Sequence, residues 1–157
     1  MISNEEYNYV ILSNDIDKVF LAKYSEYPMI DDISFNELRS KLEFNTTKRI
    51  VFNNTFYGYR EDEIKEIMEL LKKQNIKFVL ITSNVEEALY GDYILVYDGK
   101  NIVLEGLKEV VLKEEKKLKH LGYGLPFVVD LSIQLTYYDV FDKVYFDIDN
   151  MIGDLWN

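Results

Sequence analysis

The chain has 157 residues, 18 Lys+Arg against 28 Asp+Glu, a formal net charge of −10, one histidine and no cysteine. That length builds one domain whose core needs neither disulfides nor a structural metal. The missing cysteines exclude thiol catalysis and Cys-ligated zinc, and a lone His120 argues against His-rich metal sites and a Ser-His-Asp triad. So acidic a surface repels phosphate backbones and anionic headgroups, which sets aside nucleic acid and the bare membrane as partners.

The N-terminal MISNEEYNYVIL has no basic stretch ahead of an apolar one, so a secretory signal is not expected. Apolar runs such as KFVLITS are strand length, too short for a bilayer. A cytoplasmic location without direct membrane insertion follows as the expectation.

Tyr7–Leu12 is β-branched and aromatic, with a Ser-Asn-Asp turn after it, and is predicted as a strand. Asp15–Tyr24 reads as a short helix interrupted before Pro28. Ile33–Phe44 carries Phe35, Leu38 and Leu42 at helical spacing, with Ser34 as N-cap. Lys48–Asn53 is a short strand. Glu61–Gln74 is the clearest helix: Ile64, Ile67, Met68 and Leu71 form one stripe, with acids in the first turn and lysines in the last.

Lys77–Thr82 reads as a strand buried on both faces. Val85–Tyr90 follows as a short helix, then Tyr93–Tyr97 and Asn101–Glu105 as a hairpin about Asp98-Gly99. This alternation predicts an α/β fold with a mainly parallel sheet of βαβ units. From Leu107 the pattern turns helical: Leu107–Leu121, Pro126–Leu135 with Pro126 at N1, and in Lys143–Trp156 an extended piece and a last helix. The expected organisation is one domain over 1–157, with an α/β core to residue 106 and a C-terminal helical extension over 107–157.

The segment LITSNVEEALYGDYILVYDGKNIVLEGLKEVV resembles the closing part of an ABC-type ATPase. Thr82-Ser83-Asn84 stands at the switch, Glu86-Glu87-Ala88-Leu89 opens the following helix, and Asp98-Gly99 and Glu105-Gly106 mark the hairpin. The continuation EEKKLKHLGYGLPFVVDLSIQL and the closing Asp154-Leu155-Trp156-Asn157 resemble the C-terminal extension of energy-coupling factor transporter ATPase subunits. RIVFNNTFYGYREDEIKEIMELLKK matches the Walker B strand, D-loop and next helix. YVILSNDIDKVFLA resembles, more loosely, the stretch around the glutamine loop. The resemblance implies a truncated ABC-ATPase-like fold.

The groups on which ATP hydrolysis in that family depends are not found. None of the seven glycines opens a G-x-x-x-x-G-K-[ST] phosphate cradle; the one Gly-Lys pair, Gly99-Lys100, lies in a turn and has Ile94 where the first Gly belongs. Asn53 replaces the Mg²⁺-holding Asp, Asn54 the catalytic Glu, and Ser83 the switch His. A neutral amide is no base and binds Mg²⁺ weakly. SFNELRSKLEF lacks the signature Gly-Gly, and Leu12 or Ser13 stands at the glutamine position. The chain is therefore expected to be a degenerate ATPase, not an enzyme, with no cofactor or metal. With the phosphate-loop strand read as missing, the sheet is expected to lack its central strand and to expose a face or edge.

Two expectations about sites follow. Asn53, Asn54 and Ser83 mark a residual polar crevice at strand ends, where α/β ligands bind, although loop capping alone accounts for the same residues. Tyr57, Tyr59, Phe127, Tyr137 and Trp156 are candidate interface residues, drawn from an aromatic content of 15%; ordinary half-buried packing is the plainer alternative. The expected role is that of a binding, regulatory or structural partner of an ABC-type ATPase or transporter membrane subunit, which would bring it to the inner face of the membrane, or a self-associating protein. Two other roles remain open: an ATP-binding subunit of a composite site, and an α/β module repurposed for a small molecule.

Overall fold

The computed structural model describes residues 3–156, with the side chains of residues 18 and 19 left aside. Six strands form one sheet in the order β2-β3-β4-β1-β5-β6. They are β1 (Tyr9–Leu12), β2 (Met29–Ile30), β3 (Arg49–Asn53), β4 (Lys77–Thr82), β5 (Tyr93–Asp98) and β6 (Asn101–Leu107). All neighbours are parallel except β5 and β6, which form an antiparallel hairpin. The fold is α/β with a mainly parallel sheet, as the alternation of elements predicted.

The helices are α1 (Lys18–Ala22), α2 (Phe35–Glu43), α3 (Glu61–Lys73), α4 (Lys108–Val111), α5 (Glu115–His120), α6 (Phe127–Tyr137) and α7 (Ile148–Leu155), with a 3-10 helix at Val85–Tyr90. Ser34 caps α2, its hydroxyl accepting from the Glu37 N–H at 3.3 Å. At the other end of α3, Asn75 takes φ +55, while Asn75 N–H bonds Lys72 O and Ile76 N–H bonds Leu71 O. These two bonds satisfy the last carbonyls and turn the chain into β4.

Strand side chains alternate between two faces. On one, Val10, Leu12, Ile50, Phe52, Leu80, Ile94 and Val96 pack beneath α2, α3 and the C-terminal helices. On the other, Tyr9, Ile11, Val51, Val79, Ile81, Leu95 and Tyr97 are covered by Phe20 and Tyr24 from α1 and its exit. Burying one such aliphatic side chain is worth roughly 1.5–3 kcal/mol, so this second, thinner layer still contributes substantially to the core. Arg49 fastens the start of the chain beneath it. Its guanidinium donates to the carbonyls of Tyr7, Glu5 and Phe78 at 2.9, 2.9 and 3.2 Å and lies 5.5 Å from the centre of the Tyr9 ring.

The structure corrects several expectations. The sheet does not lack its central strand: β1 fills that place, with Tyr9 paired to Val79 on one side and Tyr93 on the other. Leu107–Leu121 is not one helix but α4 and α5, broken near Glu114. A straight helix would set Glu114 or Glu115 on the face that buries Val111 and Leu118, three or four residues away on either side. Pro126 is the N-cap of α6 rather than its first residue. The piece before α7 joins no ladder: its Tyr145 N–H goes to the Ser132 hydroxyl at 3.1 Å.

Candidate functional site: the strand ends and a side cavity

The parallel strands deliver their C-terminal ends to one edge. There β3 gives Asn53 and Asn54, β4 gives Thr82 and Ser83, and β1 gives Ser13. The ladder continues past the strands, with Asn54 N–H bonded to Ile81 O at 2.8 Å and Ser13 N–H to Thr82 O at 3.0 Å. Asn53, Asn54 and Ser83 therefore stand on adjacent strand ends, the juxtaposition expected of them.

Most of the polar groups here are committed to their neighbours; the Asn54 side chain and the Ser83 hydroxyl are exposed. The Asn53 side-chain amide donates to Asp31 at 2.6 Å, and Asn54 turns the chain with φ +52. Thr55, buried, donates its hydroxyl to Ile30 O at 2.7 Å. Asn84, and not Ser83, caps the 3-10 helix by accepting from Glu86 N–H at 3.0 Å. These bonds are those of capped loops.

The loop after β1 was likened in sequence to a glutamine loop. In the structure it runs from the central strand through Ser13–Asp17 into α1, the strand–loop–helix order of a phosphate-binding loop. Its chemistry is the reverse of a phosphate cradle. No glycine opens the backbone, Asp15 and Asp17 add negative charge, and the Asp17 carboxylate accepts from the Phe20 N–H at 2.7 Å. One backbone N–H at the start of α1 thus already faces an anion supplied by the chain. Sequence reasoning missed this residue; an Asp immediately before a helical run was the available signal.

The aromatic candidates divide. Tyr57, Phe127, Tyr137 and Trp156 are 84%, 63%, 76% and 81% exposed. Tyr59 is half-buried instead: its hydroxyl donates to Ile33 O at 2.7 Å, its ring meets Phe35 and Phe56, and burial pushes its pKa up to about 12. Helix α6, which carries Phe127 and Tyr137, is apolar around most of its circumference yet buries only Val128, Val129 and Ser132. An all-round apolar helix is normally interior.

A cavity of about 1090 Å³ opens beside the end of β4, at Asn84, between the start of α3, the 3-10 helix and the segment leading into α7. Glu87 lines it and is 6% exposed, with one carboxylate oxygen, Oε1, lacking any hydrogen-bond partner among the described residues. Burial raises its pKa above the ordinary carboxylate range, against weaker bonds from Thr82 and Asn84. In the sequence Glu87 passed for one residue of a helix opening. No group of three or more metal-ligating side chains occurs among the described residues, and no helix there is long and apolar enough to cross a membrane.

No family model matches the chain. Among solved structures, cbiO1 from Clostridium perfringens, part of the ABC transporter complex cbiONQ, overlays 74% of this chain and 83% of its own at a TM-score of 0.48 and 12% identity. The energy-coupling factor transporter ATP-binding protein EcfA1 of Caldanaerobacter subterraneus is 37% identical over 76 residues, 48% of this chain and 27% of that protein. The EcfA1 proteins of Clostridium perfringens and Geobacillus kaustophilus are 32% and 28% identical over 97 and 98 residues. Those matches take in 61% and 62% of this chain and 34% and 35% of theirs. The matched stretch thus spans about a quarter to a third of the relatives' length, and over that stretch this chain is a sequence relative of the energy-coupling factor transporter ATP-binding proteins.

Proposed function

We propose that the protein is a non-hydrolysing relative of these ATP-binding proteins and acts by binding, as a regulatory or structural partner of a transporter's ATPase or membrane subunit. The observation that carries the reading is the loop after the central strand. Where a phosphate loop would offer bare backbone N–H groups to an anion, this one offers aspartates, and Asp17 takes the Phe20 N–H for itself. Asn53 and Asn54 add nothing a hydrolytic site requires, since an amide neither charges Mg²⁺ coordination nor takes a proton from water. The exposed Phe127 and Tyr137 of α6 and Trp156 just after α7 are the surface through which such a partner would be held.

The purified chain is expected to release no phosphate from Mg-ATP and to give no saturable heat with ATP. Asn53→Asp with Asn54→Glu is expected to leave it inactive, because restored carboxylates do not create a phosphate cradle. Turnover in the unaltered chain that disappears in Asn54→Ala would overturn the reading. Co-purification with a complete energy-coupling factor ATP-binding protein or its membrane subunit tests the partner; Phe127→Ser with Tyr137→Ser is expected to abolish it while leaving the fold intact.

A further inference from the structure

The surface of this acidic molecule carries a stretch where the exposed charge is reversed. From Lys113 to His120, every exposed side chain is a lysine or the histidine, while Glu114 and Glu115 are half-buried and Leu118 is buried. The helix accounts for the segregation. With Leu118 turned into the core, Lys116 and His120 fall on the opposite side of α5, flanked by Lys117 and Lys119. Two of the four lysines are engaged: Lys119 reaches Glu115 at 2.7 Å, and Lys113 lies 5.9 Å from the centre of the Phe146 ring. Lys116 and Lys117 form no ion pair among the described residues. Adjacent ammonium groups repel, and carboxylates brought to these two would displace no existing pair.

This basic face is continuous with the exposed end of α6. Asp130, Gln134 and Tyr137 lie on one side of that helix, three and four residues apart, and the Gln134 amide donates to Asp130 at 3.3 Å. The Lys119 ammonium is stabilised by Glu115 first and more weakly by Asp130 and Tyr137, which raises its pKa. That side of α6 therefore faces α5, and the exposed Tyr137 ring borders the lysines.

Charge and extent together select the occupant. An anionic membrane or a nucleic-acid backbone is an extended surface, and it would bring other acids of a −10 chain within a Debye length, roughly 8–10 Å. A single segment of a protein touches the lysines alone. The net charge acts on a partner as a whole, whereas at contact these lysines set the sign of the piece that fits. We propose that α5 and the Tyr137 end of α6 form a docking face for an acidic amphipathic segment of a partner protein, its carboxylates on Lys116 and Lys117 and its apolar side on Tyr137. The inference rests on the partner reading for the protein that carries the segment, and not for the face itself.

Three labelled peptides test it, each with Leu at every third and fourth position and Glu, Gln or Lys elsewhere. The full chain is titrated into trace amounts of each in about 0.15 M salt and followed by anisotropy, and amide shifts locate the Glu peptide. Expected is saturable binding of the Glu peptide, about tenfold weaker with Gln and undetectable with Lys, with shifts gathered at Lys116, Lys117 and Tyr137. Lys116→Glu with Lys117→Glu is expected to weaken the Glu peptide by about tenfold or more. Lys72→Glu with Lys73→Glu, the same change of net charge at the exposed end of α3, is expected to leave it unaltered. Equal binding of the Glu and Gln peptides, or equal losses in the two variants, would overturn the face. So would pelleting with phosphatidylserine vesicles, or a dimer in sedimentation, that only the Lys116 and Lys117 variant loses, since the lysines would then serve a lipid or a second copy. If that variant still co-purifies with a transporter subunit, this inference falls and the partner reading stands; peptide binding by a chain that captures no such subunit does the reverse.

Discussion

At the scale of single residues, two buried oxygens stand out because they lack what burial normally demands. The Tyr24 hydroxyl sits in the thinner layer of the core, 1% exposed, without a hydrogen-bond partner among the described residues, and burial drives its pKa upward. An unsatisfied buried hydroxyl costs roughly 1–3 kcal/mol, so Tyr24→Phe is expected to stabilise the protein by about 1 kcal/mol in denaturant unfolding. Glu87 gives a pH-dependent counterpart. Its folded-state pKa lies above the unfolded value, so its share of stability is whole below the unfolded pKa and lost as pH rises through the folded one. Glu87→Gln should therefore raise the melting temperature at pH 8 and change it little at pH 4. Asp154 runs the other way: the bond from Tyr145 and the Lys143 charge hold its pKa down, and that support is lost as the carboxylate protonates in acid.

At the scale of elements, close approach decides more than propensity. A Cβ at Gly91 would lie 2.6 Å from a methyl of Val10 and 3.3 Å from its backbone nitrogen. The turn from the 3-10 helix into β5 thus rests directly on the central strand. Gly91→Ala is expected to cost about 1–3 kcal/mol, measured as a lowered urea midpoint with an unchanged slope. The elements with strong internal signals were legible in the sequence: α3 by its stripe and end charges, β4 by its unbroken apolar run, α2 by Ser34. Elements defined by their neighbours were not. Two-residue β2 exists because Met29 and Ile30 lie beside Val51 and Phe52, and nothing in Met-Ile announces that. The break between α4 and α5 answers to a packing surface that only the folded sheet supplies. Of the candidate site, the adjacency of Asn53, Asn54 and Ser83 could be read because strand ends are predictable. The cavity could not, since it assembles residues from 59 to 154 that no local pattern links.

At the scale of the whole molecule, a net charge of −10 is carried by a chain whose C-terminal third shows several large apolar side chains to solvent. Charge of one sign keeps copies apart while exposed aromatics invite contact, a combination that favours a partner of opposite charge over unlimited self-association. Binding of such a partner is expected to weaken as salt is raised from 50 to 500 mM, whereas self-association through the aromatics alone would strengthen; sedimentation at the two salt concentrations separates them.

The placement of β1 also sets a clock. Its residues are made ahead of both their neighbours, Val79 and Tyr93, so the middle of the sheet cannot close until β5 has been made. Loop closure over such distances is paid before any contact rewards it, which makes folding slow and leaves the tyrosine-rich N-terminal segment uncovered meanwhile. During synthesis, that segment is where a chaperone would find its grip.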